Sequence, residues 1–264
     1  MANPLLNIAI IDMYDGNTNV GMECIVSILK KWSVKRNLPI SYSIFKLREA
    51  GEIPNENFDI YLSSGGPGSP LDSKDAPWDK MYTRWLDQMM ALSKPVFLIC
   101  HSFQIACRHF NLGTITLRKS RQIGILPIHP LTEDVIFNGL ADPFYALESR
   151  EYQIIAPNDE ALAKMGGSII ALEKIRPQVP LERAIMAIRF NKYMIGVQFH
   201  PEGETEALQG FFQEQVLKNK IIDEFGIEKW ETIIAQLEDP NKIQKTASTF
   251  IPNFLDRAMQ IPLN

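Results

Sequence analysis

PVFLICHSFQIACRHF (residues 95–110) changes its repeat halfway along. PVFLI is a short, unbroken apolar run, the pattern of a strand buried on both faces. From Ser102 the apolar positions fall at helical spacing, so SFQIACRHF reads as a helix directly behind that strand. Cys100 stands at the join. Moving outward toward the N-terminus, LLNIAII (5–11) is a second buried run, and Met22, Ile25, Val26, Ile28 and Leu29 form a helical stripe after it. ISYSIFKL (40–47) and FDIYLSS (58–64) are further strands, the latter stopping at GGPGSP. Residues 77–92 carry Trp78, Met81, Trp85, Leu86 and Met89 at helical spacing, with Pro77 in the first turn where it is tolerated.

Toward the C-terminus the texture changes. TITL, IGILPI and PFYAL, between residues 113 and 155, are short β-like pieces broken by Pro, Gly and Asp, and predict hairpins. Two more strands are expected at 184–190 and 193–199, joined near Asn191-Lys192. After His200 the pattern is helical to the end. The first seven elements alternate as β-α-β-β-α-β-α. That order predicts an α/β three-layer sandwich with flavodoxin-like topology, a mostly parallel central sheet and helices on both faces. We divide the chain into a domain over residues 1–205 and a helical C-terminal extension over 206–264 packed on it.

Composition closes off several classes of function. The chain has 264 residues, 45% of them hydrophobic, with a net charge of −4 and scattered Lys and Arg, which argues against nucleic acid or an anionic membrane as partner. No apolar run approaches the roughly 18 residues of a spanning helix. MANPLLNIAIID lacks a basic n-region and reads as mature sequence. Cys24, Cys100 and Cys107 form no CxxC pair, so no disulfide framework is expected and a reducing cytoplasm fits. Four dispersed histidines show no metal-ligand spacing, and no metal or cofactor is expected. DMYDGNTN (12–19) reads as a plain strand-to-helix loop.

Three unusual segments each begin where an apolar strand ends: GGPGS after FDIYLSS, Cys100 after PVFLI, and His200 after YMIGVQF. In open α/β sheets, strand ends are where sites assemble. A cysteine at a strand-to-helix turn lies at the positive end of the helix, which favours the nucleophilic thiolate. The backbone N–H of His101, together with Gly65 and Gly66, suits a developing oxyanion. His200 is a base with an ordinary pKa near neutrality. Glu202 lies two residues on, on the same side of an extended segment, where it would orient the imidazole. The side chain of His101, adjacent to the nucleophile, is rejected as the base.

SSGGPGSP (63–70), LICHSFQ (98–104) and HPE (200–202) resemble, in order and separation, the oxyanion loop, G-x-C-x-G-x-Q elbow and late H-P-E of class I glutamine amidotransferases. The likeness covers about residues 5–205. It implies that Cys100 attacks the glutamine carboxamide to form a thioester. His200 would protonate the departing ammonia, Gly66 and His101 amides would form the oxyanion hole, and Gln104 would position substrate. A synthetase using that ammonia would be a separate subunit, since these residues leave no room for one. The chain departs from the pattern at Leu98 and Ser102, which replace the elbow glycines. It departs again at ESREYQ (148–153), where many relatives carry a Ser-His pair. Ser149, Arg150 and Tyr152 are candidate contacts there. Two other readings stay open: a free-standing hydrolase of γ-glutamyl peptides or conjugates, and a degenerate binding or regulatory domain.

Overall fold

A computed structural model describes residues 5–260; residues 1–4, where the N-terminal reading begins, and 261–264, the last of the expected extension, lie outside the described residues. The chain opens with β1 (Leu6–Asp12), α1 (Val20–Arg36), β2 (Ile40–Lys46), a one-turn α2 (Leu47–Ala50), β3 (Ile60–Ser63), α3 (Pro77–Ala91), β4 (Val96–Ile99) and α4 (His101–His109). Next come β5 (Thr114–Pro130), β6 (Phe144–Ile155), α5 (Asp159–Met165), β7 (Ser168–Glu173), β8 (Ile185–Arg189) and β9 (Met194–Val197). Helices α6 (Thr205–Gln213), α7 (Gln215–Phe225), α8 (Ile227–Leu237), α9 (Ile243–Ala247) and α10 (Phe250–Met259) complete it. None of the described helices is long and apolar enough to cross a membrane.

The strands form one sheet in the order β2-β1-β3-β4-β9-β8-β7-β5-β6. β2, β1, β3, β4 and β9 pair in parallel. Beyond β9 the pairings are antiparallel, with β7 and β6 running in the same direction as the first five strands and β8 and β5 against them. The α/β class and mostly parallel sheet are those the sequence predicts.

Burial on both faces explains the unbroken apolar runs. In β1, Leu6, Ile8 and Ile10 face a core with Ile25, Leu29 and Trp32 of α1, while Ala9 and Ile11 face one with Tyr82, Trp85 and Phe103. The sandwich's three layers follow from this alternation.

The stretch after α4 differs from the expected set of short hairpins. β5 and β6 are 17 and 12 residues long and make one extended antiparallel pair, with a register shift between Leu117 and Gln122. Pro127 does not break it. β5 pairs with β7 only over Ile128–Pro130, so most of the strand has an open edge, where proline is tolerated. Ile123, Ile125 and Leu147 of this pair are covered by Leu208, Phe212, Ile221 and Ile233 from α6, α7 and α8. α10 instead packs Phe250 and Phe254 on Phe97 of β4, with Asp256 accepting from Trp32 Nε1 at 2.9 Å.

Candidate functional site

Cys100 occupies the turn between β4 and α4 with φ 48° and ψ −98°, a conformation that strains any residue with a side chain. Neighbouring strands enforce it. Its N–H donates to the Val197 carbonyl at 2.7 Å, and its own carbonyl accepts from Gln104 N at 2.9 Å, the first bond of α4. The thiol is therefore held at the end of β4, beside the end of β9.

Past β9 the chain runs Gln198-Phe199-His200 toward β6, where His200 N donates to the Leu147 carbonyl at 2.8 Å. That bond sets the ring. His200 Nδ1 lies 2.8 Å from Oε1 of Glu202, whose carboxylate is 1% exposed. Burial alone would push the His200 pKa down. The charges of Glu202 and Cys100, with hydrogen bonding to both, outweigh it and hold the pKa well above the usual 6.5.

β3 delivers the glycine loop to the same place. A Cβ on Gly65 would stand 2.8 Å from His200 Cε1 and 3.5 Å from Cys100 Cβ. A Cβ on Gly66 would stand 2.3 Å from the Met13 carbonyl oxygen. Both positions exclude a side chain, for different reasons. The strand ends thus bring Gly65, Gly66, Cys100, His200 and Glu202 together.

The two elbow substitutions are accommodated locally. Leu98 is the register partner of Gly196 on β9, where a Cβ would come within 3.3 Å of Leu98 Cβ and 2.5 Å of the Phe103 ring. Ser102 makes a buried hydroxyl cluster: its Oγ lies 2.7 Å from Ser63 Oγ and donates to the Ser64 carbonyl, while Tyr82 Oη donates to Ser63 Oγ at 2.8 Å. That cluster ties α4 to the start of the glycine loop. His101 turns inward, its ring 6.3 Å from that of Trp78. Burial, then Arg48 and Arg108, lower its pKa to about 3, so the ring is neutral.

Two cavities meet at Cys100, sharing Gly66, Pro67 and Ser149. One, of about 210 Å³, is bordered by Gln104, Arg121, Arg150 and Tyr152. The Arg150 guanidinium is engaged by Glu148 at 2.8 Å and Glu173 at 3.4 Å, a buried structural network. The other, of about 310 Å³, holds His200 and Glu202 and is lined by Tyr14, Val20, Leu208 and Phe211.

Sequence reasoning missed Tyr14, Gln198 and Arg121. Tyr14 comes from DMYDGNTN, read as a plain loop; its position at the end of β1 was the available signal. Burial, followed by the charges of Glu202 and Cys100, raises its pKa well above 10. Gln198 precedes His200 by two residues, and its Nε2 donates to Cys100 Sγ at 3.6 Å.

The glutamine amidotransferase class-I family model matches residues 9–223. A search of curated protein sequences found no match. Among solved structures, a glutamine amidotransferase from Thermotoga maritima is similar over 97% of this chain and 99% of its own, with TM-score 0.72 and 13% identity. A glutamine amidotransferase from Methylobacillus flagellatus is similar over 96% of each chain, with TM-score 0.67 and 15% identity. The glutaminase domain of a Trypanosoma brucei CTPS, with bound acivicin, is similar over 95% of this chain and 94% of its own, with TM-score 0.60 and 12% identity. The structural likenesses describe the fold, while the family match spans the glycine loop, the elbow and the H-P-E segment in one alignment: this chain belongs to the class-I glutamine amidotransferase family.

Proposed function

We propose that this protein hydrolyses the side-chain amide of glutamine through a Cys100 thioester and releases ammonia to a separate synthetase subunit. The observation that carries the reading is the strained Cys100 turn set between the Gly65 loop and the His200–Glu202 pair. Cys100 Sγ adds to the carboxamide carbon while Gly66 and His101 amides face the oxyanion. Glutamine is held by contacts that include Gly65 and Gln104. The raised His200 pKa favours the imidazolium, the form that protonates the departing nitrogen. The neutral ring then takes a proton from water, which attacks the thioester; the C–S bond breaks and glutamate leaves. We assign this chemistry to the domain over residues 1–205, on which the described helices of the 206–264 extension pack. Three unpaired cysteines accord with a cytoplasmic setting.

A second reading rests on the larger cavity. It lies on the His200 side, where the leaving group must be, and Val20, Leu147, Leu208 and Phe211 line it. Apolar walls there suit γ-glutamyl amides of organic amines as well as glutamine.

One assay separates these readings. Purified protein is given glutamine and a panel of γ-glutamyl amides, with Cys100→Ala as control. Ammonia from glutamine, lost in Cys100→Ala, supports the first reading. Turnover of substituted amides alone supports the second. No turnover, and no labelling of Cys100 by a glutamine-like chloroketone, rejects both and leaves a binding domain. Chloroketone labelling without turnover directs the search to a partner, which co-purification would reveal.

A further inference from the structure

We propose that Gln198 is a catalytic residue whose side-chain N–H donates to Cys100 Sγ and holds the sulfur as a thiolate. The proposal rests on Cys100 being the nucleophile. Gln198 is fully buried, between the end of β9 and His200. Its Nε2 lies 3.6 Å from Cys100 Sγ, and its Oε1 accepts from Gln104 Nε2 at 3.1 Å. Gln104 and Cys100 are themselves 3% and 6% exposed, so water competes little for either end of the amide. A buried amide has to find partners, and here one of them is the reacting atom.

The orientation of the amide decides its effect. An N–H toward sulfur stabilises the thiolate; a carbonyl toward sulfur would favour the neutral thiol. The bond from Gln104 Nε2 selects the first arrangement, because it occupies Gln198 Oε1 and leaves Nε2 turned toward the sulfur.

The two donors on sulfur then divide the work. During attack, the sulfur electron pair forms the C–S bond and both donors release it. His200 passes its proton to the leaving nitrogen. When water attacks the thioester, His200 is occupied with the proton of that water. The C–S bond breaks, its electron pair returns to sulfur, and the Gln198 N–H receives the emerging charge. Gln198 neither gains nor loses a proton, so it serves both half-reactions unchanged. Gln104 keeps the amide from turning over, through the bond to Oε1.

Alkylation of Cys100 by iodoacetamide tests this in the full chain without any substrate or partner. Rates are followed by mass spectrometry from about pH 6 to 9.5, with thermal melting of each variant as the fold check. Gln198→Met keeps the length of the side chain and removes the donor. Gln198→Glu keeps the shape and places a carboxylate beside the sulfur. At neutral pH the Met variant should react about tenfold more slowly than the wild type, the scale of one lost hydrogen bond to a charged group, and the Glu variant more slowly still. At the alkaline end the Met variant and the wild type should converge. A folded Gln198→Met that alkylates at the wild-type rate or faster at neutral pH overturns the proposal, because the side chain then only fills space or presents its carbonyl. If Gln198→Met does not fold, Gln198→Leu takes its place: an unchanged or faster rate overturns the proposal, a rate about tenfold slower at neutral pH that converges with the wild type at the alkaline end supports it. Failure of the nucleophile assignment shows separately, as wild-type Cys100 inert to a glutamine-like chloroketone.

Discussion

His200 and Glu202 meet at 2.8 Å through Nδ1 and Oε1 although one residue separates them in sequence. The carboxylate is buried, so its effect on the ring is little screened. Glu202→Gln keeps the shape and removes the charge. Burial then acts on the imidazole with less opposition, and its titration should move to lower pH, as NMR of the ring would show. Glutamine turnover should fall by about 10⁴-fold, the scale seen when an orienting carboxylate is lost, with KM little changed in steady-state kinetics.

Gly65 and Gly66 should fail differently when given a methyl group. Gly65→Ala meets the His200 ring and Cys100 Cβ, both side chains, so the fold absorbs it while the imidazole shifts. A displacement of about 1 Å costs on the order of 100-fold in turnover. Gly66→Ala meets the Met13 backbone carbonyl, which has no rotamer to change. It should destabilise the protein by about 1–3 kcal/mol. Thermal melting alongside kinetics distinguishes the two.

Ser102→Gly restores the residue that relatives carry, yet it should weaken this protein. The hydroxyl links Ser63 Oγ to the Ser64 carbonyl in a buried setting. Removing it leaves a buried acceptor unpaired, at about 1–2 kcal/mol, and glycine in a helix adds a further cost. Urea unfolding of Ser102→Ala and Ser102→Gly should rank Gly below Ala below wild type.

Glu173 ties the antiparallel part of the sheet through Arg118 at 2.9 Å, Arg150 at 3.4 Å and Arg176 at 2.7 Å. Burial would raise its pKa, but Arg150, Arg118 and Arg176 outweigh it and hold the group below the ordinary 4.5. A depressed carboxylate pKa stabilises the fold above the ordinary value, and that stability is lost as pH falls through the folded-state value. Glu173→Gln should therefore cost about 3 kcal/mol near pH 7, where it leaves buried arginines short of a counter-charge. The gap to wild type should narrow as pH drops below 4.5, measured by denaturant unfolding at each pH.

The sheet core was legible because its strands are buried on both faces, so PVFLI and LLNIAII stand out as unbroken apolar runs. The triad candidates were legible because each follows such a run. The antiparallel part was read less well. β5 mixes Pro127, Gly124 and four charged or polar residues at 118–121, because one edge and one face of it are partly open. α5 and β7 were overlooked even though Asn158 caps α5 with a bond to Ala161 N and Gly166 ends it at φ 71°. Seven residues give too few turns for a helical stripe to register. Gln198 and Tyr14 were hidden for another reason: a polar residue near a strand end matters only once the fold shows which atom it faces.

The pairing of Leu98 with Gly196 ties the elbow to the strand beside it. Placing glycine at 98 by itself would empty a fully buried site beneath Phe103 and soften β4 just before the strained turn. Adding a methyl at 196 by itself would drive it into that same ring. Neither single step is neutral, and even the double change must move Phe103. Leu98, two residues before the cysteine, is consequently locked by its neighbours across the ladder, and a graft of this elbow into another member of the family would have to carry positions 98, 103 and 196 as one unit.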